Sequence, residues 1–216
     1  MKIGDRLIVL HITKLGENSI VVHCLCRKLG RRGLICRVRK GGSLALYMPL
    51  SVIDAEIAEN PKSDLWRLSG ASPALALNNI RKDPYKNAIA LFMSEVLYRT
   101  VREDAFDPGL FDWCEKTIAT LEQLPAGCPN FHLRSLLELC SAMGFSPGIQ
   151  DLAPFAGEQL ANLQRLITLP LEECLVYPMS GKDRSECAAA LLEYLSSHIG
   201  IRINVKSLAV LQELFR

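Results

Sequence analysis

The sequence predicts an α+β protein of two domains, an N-terminal five-stranded β-barrel followed by an α-helical bundle. Three observations lead there. Up to about residue 70 the apolar residues come in short, β-branched runs separated by glycine turns. From about Ser72 the period of the apolar residues changes from two to 3.6. Charge divides at the same place: residues 1–72 hold 12 basic and 6 acidic residues, and the remainder holds 13 basic and 17 acidic. A basic module joined to a mildly acidic one suggests that the first meets a polyanion and the second does something else.

The strands come in order. Arg6 to Thr13 is the first, closed by the turn residues Leu15-Gly16-Glu17-Asn18. Ser19 to Cys26 is the second, followed by the basic turn Lys28-Leu29-Gly30-Arg31, and Gly33 to Arg39 is the third, ended by Gly41-Gly42-Ser43. Leu44 to Ala58 contains a fourth, in which Pro49 belongs at a bulge or edge because it cannot donate to a ladder. Leu65 to Leu68 is a short fifth. Five short strands at this spacing fit a small closed barrel of the OB type.

The helices follow. Lys82 to Glu103 carries Pro84 near its start and Ile89, Phe92, Met93 and Val96 on one stripe. Asp107-Pro108 opens a second that runs to about Leu124, and Pro125-Ala126-Gly127 breaks it. Pro129 to Met143 is a third, stopped by Gly144. Phe145 to Gly157, with two prolines and two glycines, reads as a connecting loop. Gly157 to Leu169, Asp183 to His198 with Asp183 as N-cap, and Val205 to Phe215 complete the set, so the domains fall at 1–72 and 73–216.

Composition bounds the function class. The chain has 216 residues, 49% of them hydrophobic, and a formal net charge of +2. That is the make-up of a globular chain able to bury a core in each of two domains. No apolar run is long enough for a membrane span, and the N-terminus meets Asp5 at once, unlike a signal peptide. The expected location is cytoplasmic, and no membrane partner is expected.

Chemistry-bearing motifs are few. The eight cysteines contain no C-x-x-C pair, and most sit among Leu, Ile and Ala, where a thiol behaves as a small hydrophobe. Cys24 and Cys26, two apart in a strand, share a face. His11, His23, His132 and His198 are dispersed, although His11 and His23 fall in neighbouring strands that could bring them face to face. Gly41-Gly42-Ser43 and Met179-Ser180-Gly181-Lys182 both lack the G-x-x-x-x-G-K-[ST] phosphate loop. No enzyme, metal site or cofactor is expected.

The concentrated signal is basic. Arg27, Lys28, Arg31, Arg32, Arg37, Arg39 and Lys40 place seven cations within fourteen positions and no acid among them. A groove that follows a nucleic-acid backbone needs such clustering to displace the counterions condensed on phosphates. The competing reading is a solvated charged face. Aromatic platforms for base stacking are scarce, because residues 1–70 contain only Tyr47 and Trp66, so backbone-dominated binding is the expectation. Tyr47 could stack on a base or pack at the barrel end. OB modules also grip proteins, so a protein-binding scaffold is the alternative.

Several stretches, in order, resemble the RecO family of recombination mediators. They are Asp5 to Lys40 as the opening strands with their basic turn, Pro49-Leu50-Ser51-Val52-Ile53-Asp54, the helix from Lys86 to Tyr98, and Asn130-Phe131-His132-Leu133-Arg134 with Leu136-Leu137 and Gly144-Phe145. Leu208-Ala209-Val210-Leu211 also fits. The stretch from Asn130 to Phe145 resembles the form found in Bacteroides-like bacteria. The resemblance implies a DNA repair protein that binds single- and double-stranded DNA, anneals complementary strands and helps load recombinase onto strands coated by single-strand-binding protein. It implies RecR and the acidic, phenylalanine-ended tail of single-strand-binding protein as partners, RecF and RecA as further candidates, and work at the nucleoid during the response to DNA damage. An apolar groove rimmed by Arg99, Arg102 or Arg134 would suit that tail. In one respect the chain departs from many members. Their four-cysteine zinc ribbon falls where Phe145 to Gly157 stands here, and that segment has neither Cys nor His.

Overall fold

The computed structural model describes residues 2–38, 44–61, 63, 65–125 and 128–215. Five strands close into a barrel: β1 (Lys2–Lys14), β2 (Ser19–Cys26), β3 (Gly30–Arg37), β4 (Val52–Ala58) and β5 (Trp66–Pro73), in the spatial order β1-β2-β3-β5-β4. Neighbours run antiparallel except β3 and β5, which pair in parallel over just Leu34↔Trp66 and Ile35↔Arg67. The barrel core is built by Leu7, Val9, Ile20, Val22, Cys24, Cys26, Leu34, Cys36, Ile53, Ile57 and Leu68.

A bulge in β1 decides which side chains enter that core. Pairing with β2 shifts between Val9 and His11, so Leu10 is the extra residue. Leu7 and Val9 point inward before the bulge, and Ile12 packs on the core after it. Strict alternation would have turned His11 inward; the extra residue reverses the phase and leaves it exposed.

The strands differ from the sequence expectation at their ends. β1 begins at Lys2, because Lys2 to Asp5 pair with Ala58 to Ala55 of β4. β5 runs on to Pro73, taking up a register shift opposite Asp54 to Glu56. The segment Leu44 to Leu50 is not strand. A 3-10 turn covers Ala45–Tyr47, and Leu50 has φ 57°. Pro49 therefore lies ahead of β4 rather than at a bulge within it, since neither a residue lacking N–H nor one in the left-handed region extends a ladder. Arg39 and Gly41-Gly42-Ser43, expected to end the third strand and form its turn, lie outside the described residues.

The helices are α1 (Asn78–Lys82), α2 (Pro84–Thr100), α3 (Pro108–Gln123), α4 (Phe131–Ala142), α5 (Ile149–Ala156), α6 (Leu160–Thr168), α7 (Leu171–Val176), α8 (Gly181–Ile199) and α9 (Leu208–Leu214). The chain divides into two compact units, residues 1–78 with 97–119, and residues 79–96 with 120–216. The barrel unit thus takes in the end of α2 and most of α3.

In the helical unit, Phe145 to Gly157 corrects the reading as a loop, for it contains α5. The Gly148 N–H donates to Asp151 Oδ2 at 2.9 Å, and Leu152 and Ala156 are buried at helical spacing. Pro154 forfeits a single backbone bond, to Gln150 in the first turn. α7 was not foreseen. Its final carbonyls are met by buried Asn130, whose Nδ2 donates to Cys174 O at 3.0 Å and Tyr177 O at 2.7 Å. The N-cap of α8 is Ser180 rather than Asp183: Ser180 Oγ accepts from the Asp183 N–H at 3.1 Å, and the Asp183 carboxylate accepts back from Ser180. Buried Lys86 donates to the carbonyls of Glu122, in the last turn of α3, and Leu124, just past it, and the Glu122 carboxylate accepts from Asn79 N at 2.8 Å and Ile80 N at 2.9 Å at the start of α1.

Candidate nucleic-acid interface

The basic run of the sequence starts at the β2–β3 turn, and an acid fixes that turn. Asp5 is buried; its carboxylate accepts from Arg6 N at 2.8 Å and from Lys28 N at 3.1 and 3.2 Å. Burial holds its pKa above the usual carboxylate value although both bonds pull the other way. Lys28 Nζ donates to Gly4 O at 2.7 Å.

Three arginines of the run are engaged inside the barrel unit. Arg27 pairs with Asp112 at 2.7 Å and Glu115 at 3.7 Å, and its guanidinium lies 5.5 Å from the Phe111 ring centroid. Arg31 lies 4.6 Å over Tyr98 and donates through Nη1 to Val101 O at 2.7 Å. Arg32 pairs with Asp104 at 3.0 Å and lies 4.8 Å over Trp66. Arg6 joins them, bidentate to Asp54 at 2.9 and 3.2 Å and bonded to Glu115 at 3.0 Å. The Asp54 carboxyl is held below its ordinary value by that hydrogen bond. The window 27–40 contains no acid, but the fold brings acids to it from residues 104, 112 and 115.

Gly30 shows how close that approach is. It has φ 70°, and a Cβ there would stand 2.3 Å from Ala105 O. The backbones also bond directly, Arg31 N to Ala105 O at 3.2 Å and Asp104 N to Arg31 O at 2.9 Å. Beside them His11 and His23 are cross-strand partners with ring centroids 5.8 Å apart, and both contact Tyr98, at 4.9 and 5.2 Å. Burial, then His11 and Arg31, lowers the His23 pKa.

The far end of the barrel is different. Past Ile35 and Arg67, β3 and β5 separate and leave a cleft of about 790 Å³. Lys2, Arg37 and Arg67 line it, with Ser19, Cys36, Tyr47, Asn60 and Ser69 among the others, and no described acid does. Arg37 and Arg67 are exposed and make no ion pair or side-chain hydrogen bond among the described residues. Lys2 pairs with Glu56 at 3.0 Å on the surface. Tyr47 packs rather than presenting a stacking face: it is buried, with its hydroxyl 3.1 Å from Cys36 Sγ.

Of the seven cations, then, Arg27, Lys28, Arg31 and Arg32 gather at one end of β3 and Arg37 at the other, while Arg39 and Lys40 lie outside the described residues. Lys2 and Arg67 escaped sequence reasoning because pairing, not proximity in the chain, brings them to Arg37. The signal was register: Lys2 and Arg67 both pair with Ala58 of β4. All eight cysteines are free and buried, as core thiols should be. Among the described residues no group of three or more His, Cys, Asp or Glu could hold a metal ion, and no helix is long and apolar enough to cross a membrane. Arg134, one candidate for a groove rim, is bound to Glu138 at 2.7 Å and to the carbonyls of Leu166 and Leu169.

Comparison with known proteins adds to this geometry. The family model described as "Recombination protein O C terminal" matches residues 81–153. The chain is 29% identical to the DNA repair protein RecO of Phocaeicola vulgatus over 96% of its own length and 97% of that protein's. It is 26% identical to the RecO of Flavobacterium psychrophilum over the full length of both. Against the RecO of Porphyromonas gingivalis, identity is 32% over 69% of this chain and 64% of the relative.

Proposed function

The chain belongs to the RecO family and so has a role in DNA repair and recombination, and from that premise we propose that it binds DNA through its barrel as a non-catalytic mediator. In this reading residues 1–72 are the nucleic-acid-binding domain and residues 73–216 the domain that serves protein partners. The protein anneals complementary strands and helps load recombinase onto DNA coated by single-strand-binding protein. RecR and the tail of single-strand-binding protein are its partners, with RecF and RecA further along the same process at the nucleoid.

The observation that carries the reading is the excess of 12 basic over 6 acidic residues in the barrel segment, set on a closed five-stranded barrel. Basic charge so concentrated draws a polyanion and makes its binding salt-dependent. Among Arg27, Lys28, Arg31, Arg32, Arg37, Arg39 and Lys40, the engaged arginines act mainly through the field they set up, and Arg37, unpaired among the described residues, makes direct contact. Strand annealing by the purified protein, with and without single-strand-binding protein, tests the proposal. Annealing that accelerates and then fades steeply with ionic strength is expected; no acceleration at low salt would overturn it.

One observation favours a second reading, a barrel that grips a protein: Arg27, Arg31 and Arg32 are already held by groups of the chain itself. Co-elution with RecR that survives high salt, without any DNA shift at low salt, would select it.

A further inference from the structure

We propose that single-stranded DNA runs through the open end of the barrel, between β3 and β5, with Arg37 and Arg67 as its principal phosphate contacts and Lys2 as a third. This rests on the DNA-binding reading above and moves the path away from the β2–β3 turn, where the sequence concentrates its cations.

Availability, spacing and shape favour this path. The first is availability. A guanidinium that already holds a carboxylate has its charge largely offset and gains less from a phosphate. Arg27 and Arg32 hold carboxylates, and Arg31 is fixed over Tyr98. Among the described residues Arg37 and Arg67 hold no ion pair or side-chain hydrogen bond. Lys2 holds the exposed Glu56, a kind of pair worth about 0–1 kcal/mol and open to exchange.

The second is spacing. Lys2 pairs with Ala58, Ala58 with Arg67, and Ile35, two residues before Arg37, with Arg67. With neighbouring strands about 4.8 Å apart, Lys2 and Arg67 stand in one cross-strand row, and Arg37 extends it from two residues further along β3. A row suits a chain of phosphates, whereas a single anion would need convergent donors.

The third is shape. Among the described residues β3 and β5 share two residue pairs and then part, so the cleft is a feature of the closure itself. Its volume of about 790 Å³ lies in the range of ligand-binding clefts. Tyr47 is buried beneath it and Arg32 covers Trp66, so neither aromatic of the barrel offers a free face to a base. Contact is therefore with the backbone and tolerant of sequence.

The test uses the full chain and a fluorescent oligothymidylate titrated over a range of salt. Arg37→Glu with Arg67→Glu should weaken binding at least about tenfold. Arg37→Gln with Arg67→Gln should lower the slope of log K against log salt by about 1.4, at about 0.7 per phosphate contact on a single strand. Lys28→Glu, at the opposite end, should change affinity by less than about threefold, since it acts through the field alone. Thermal melts of each variant separate a binding defect from a folding one. If the wild type binds and the glutamine pair keeps its affinity and slope, the path lies elsewhere and DNA binding stands. A loss in Lys28→Glu equal to that of the glutamate pair would also overturn the location. A wild type without salt-dependent binding would instead overturn the DNA-binding reading on which the path rests.

Discussion

Arg31 lays its guanidinium 4.6 Å over the ring of Tyr98 and, through the same group, donates to the Val101 carbonyl at 2.7 Å. A residue that composition marks as a phosphate ligand is thereby a fastening within the barrel unit, joining β3 to the end of α2. The cation–π contact and the charged hydrogen bond contribute about 1 and 2 kcal/mol. Arg31→Met should lower unfolding stability by about 2–3 kcal/mol, read from the urea midpoint at constant slope. Loss of DNA binding by Arg31→Glu would then report on folding, so a variant at this position needs a melt beside every titration.

Gly30→Ala is expected to be as damaging without touching charge. The left-handed φ of 70° costs a residue with a Cβ about 1 kcal/mol. The new methyl must also push Ala105 O away from 2.3 Å. A total loss of about 2 kcal/mol or more is expected by chemical denaturation. A neutral result would mean that the segment around Ala105 yields freely.

Stability should fall on acidification, with His132 as a main cause. It is wholly enclosed between Phe92 and Phe215, and burial, then nearby Arg184, pushes its pKa down from 6.5 to about 3. Between those values the unfolded chain binds a proton that the folded chain refuses. Its folded pKa is the lower one, so stability is lost as pH falls below 6.5, by about 1.4 kcal/mol per unit. His132→Phe removes this dependence. Between pH 7.5 and 5 the variant should gain about 2 kcal/mol relative to the wild type. A constant difference between the two proteins would show that His132 takes up its proton in the fold as readily as in the unfolded chain.

Glu115 receives both Arg6 and Arg27, at 3.0 and 3.7 Å, and Asp112 receives Arg27. The double substitution Asp112→Asn and Glu115→Gln should cost about 1 kcal/mol, since all four groups are partly exposed and screened. Affinity for single-stranded DNA should stay within about twofold at physiological salt. A tenfold gain would show that α3 competes with DNA for Arg27 and that the basic turn lies on the path after all.

The sequence by itself determined the barrel, the change to helices near residue 72 and the burial of the cysteines. These rest on periodicity, turn residues and side-chain type, which act locally: Ser19 to Cys26 is a short apolar run that ends at a basic turn, and β2 has those same bounds. It also marked the barrel as basic. Local pattern misled where a contact distant in sequence outweighs it. Phe145 to Gly157 looks like a loop from its prolines and glycines, yet buried Leu152 and Ala156 make it helical. The tertiary structure alone decided which cations are free. Charge counted along the chain treats Arg27 and Arg37 alike, but the fold sets Asp112 and Glu115 against the first and leaves the second at the gap between β3 and β5. Strand pairing carries no signature in a run of residues, so the row from Lys2 through Arg67 to Arg37 exists only once the barrel has closed.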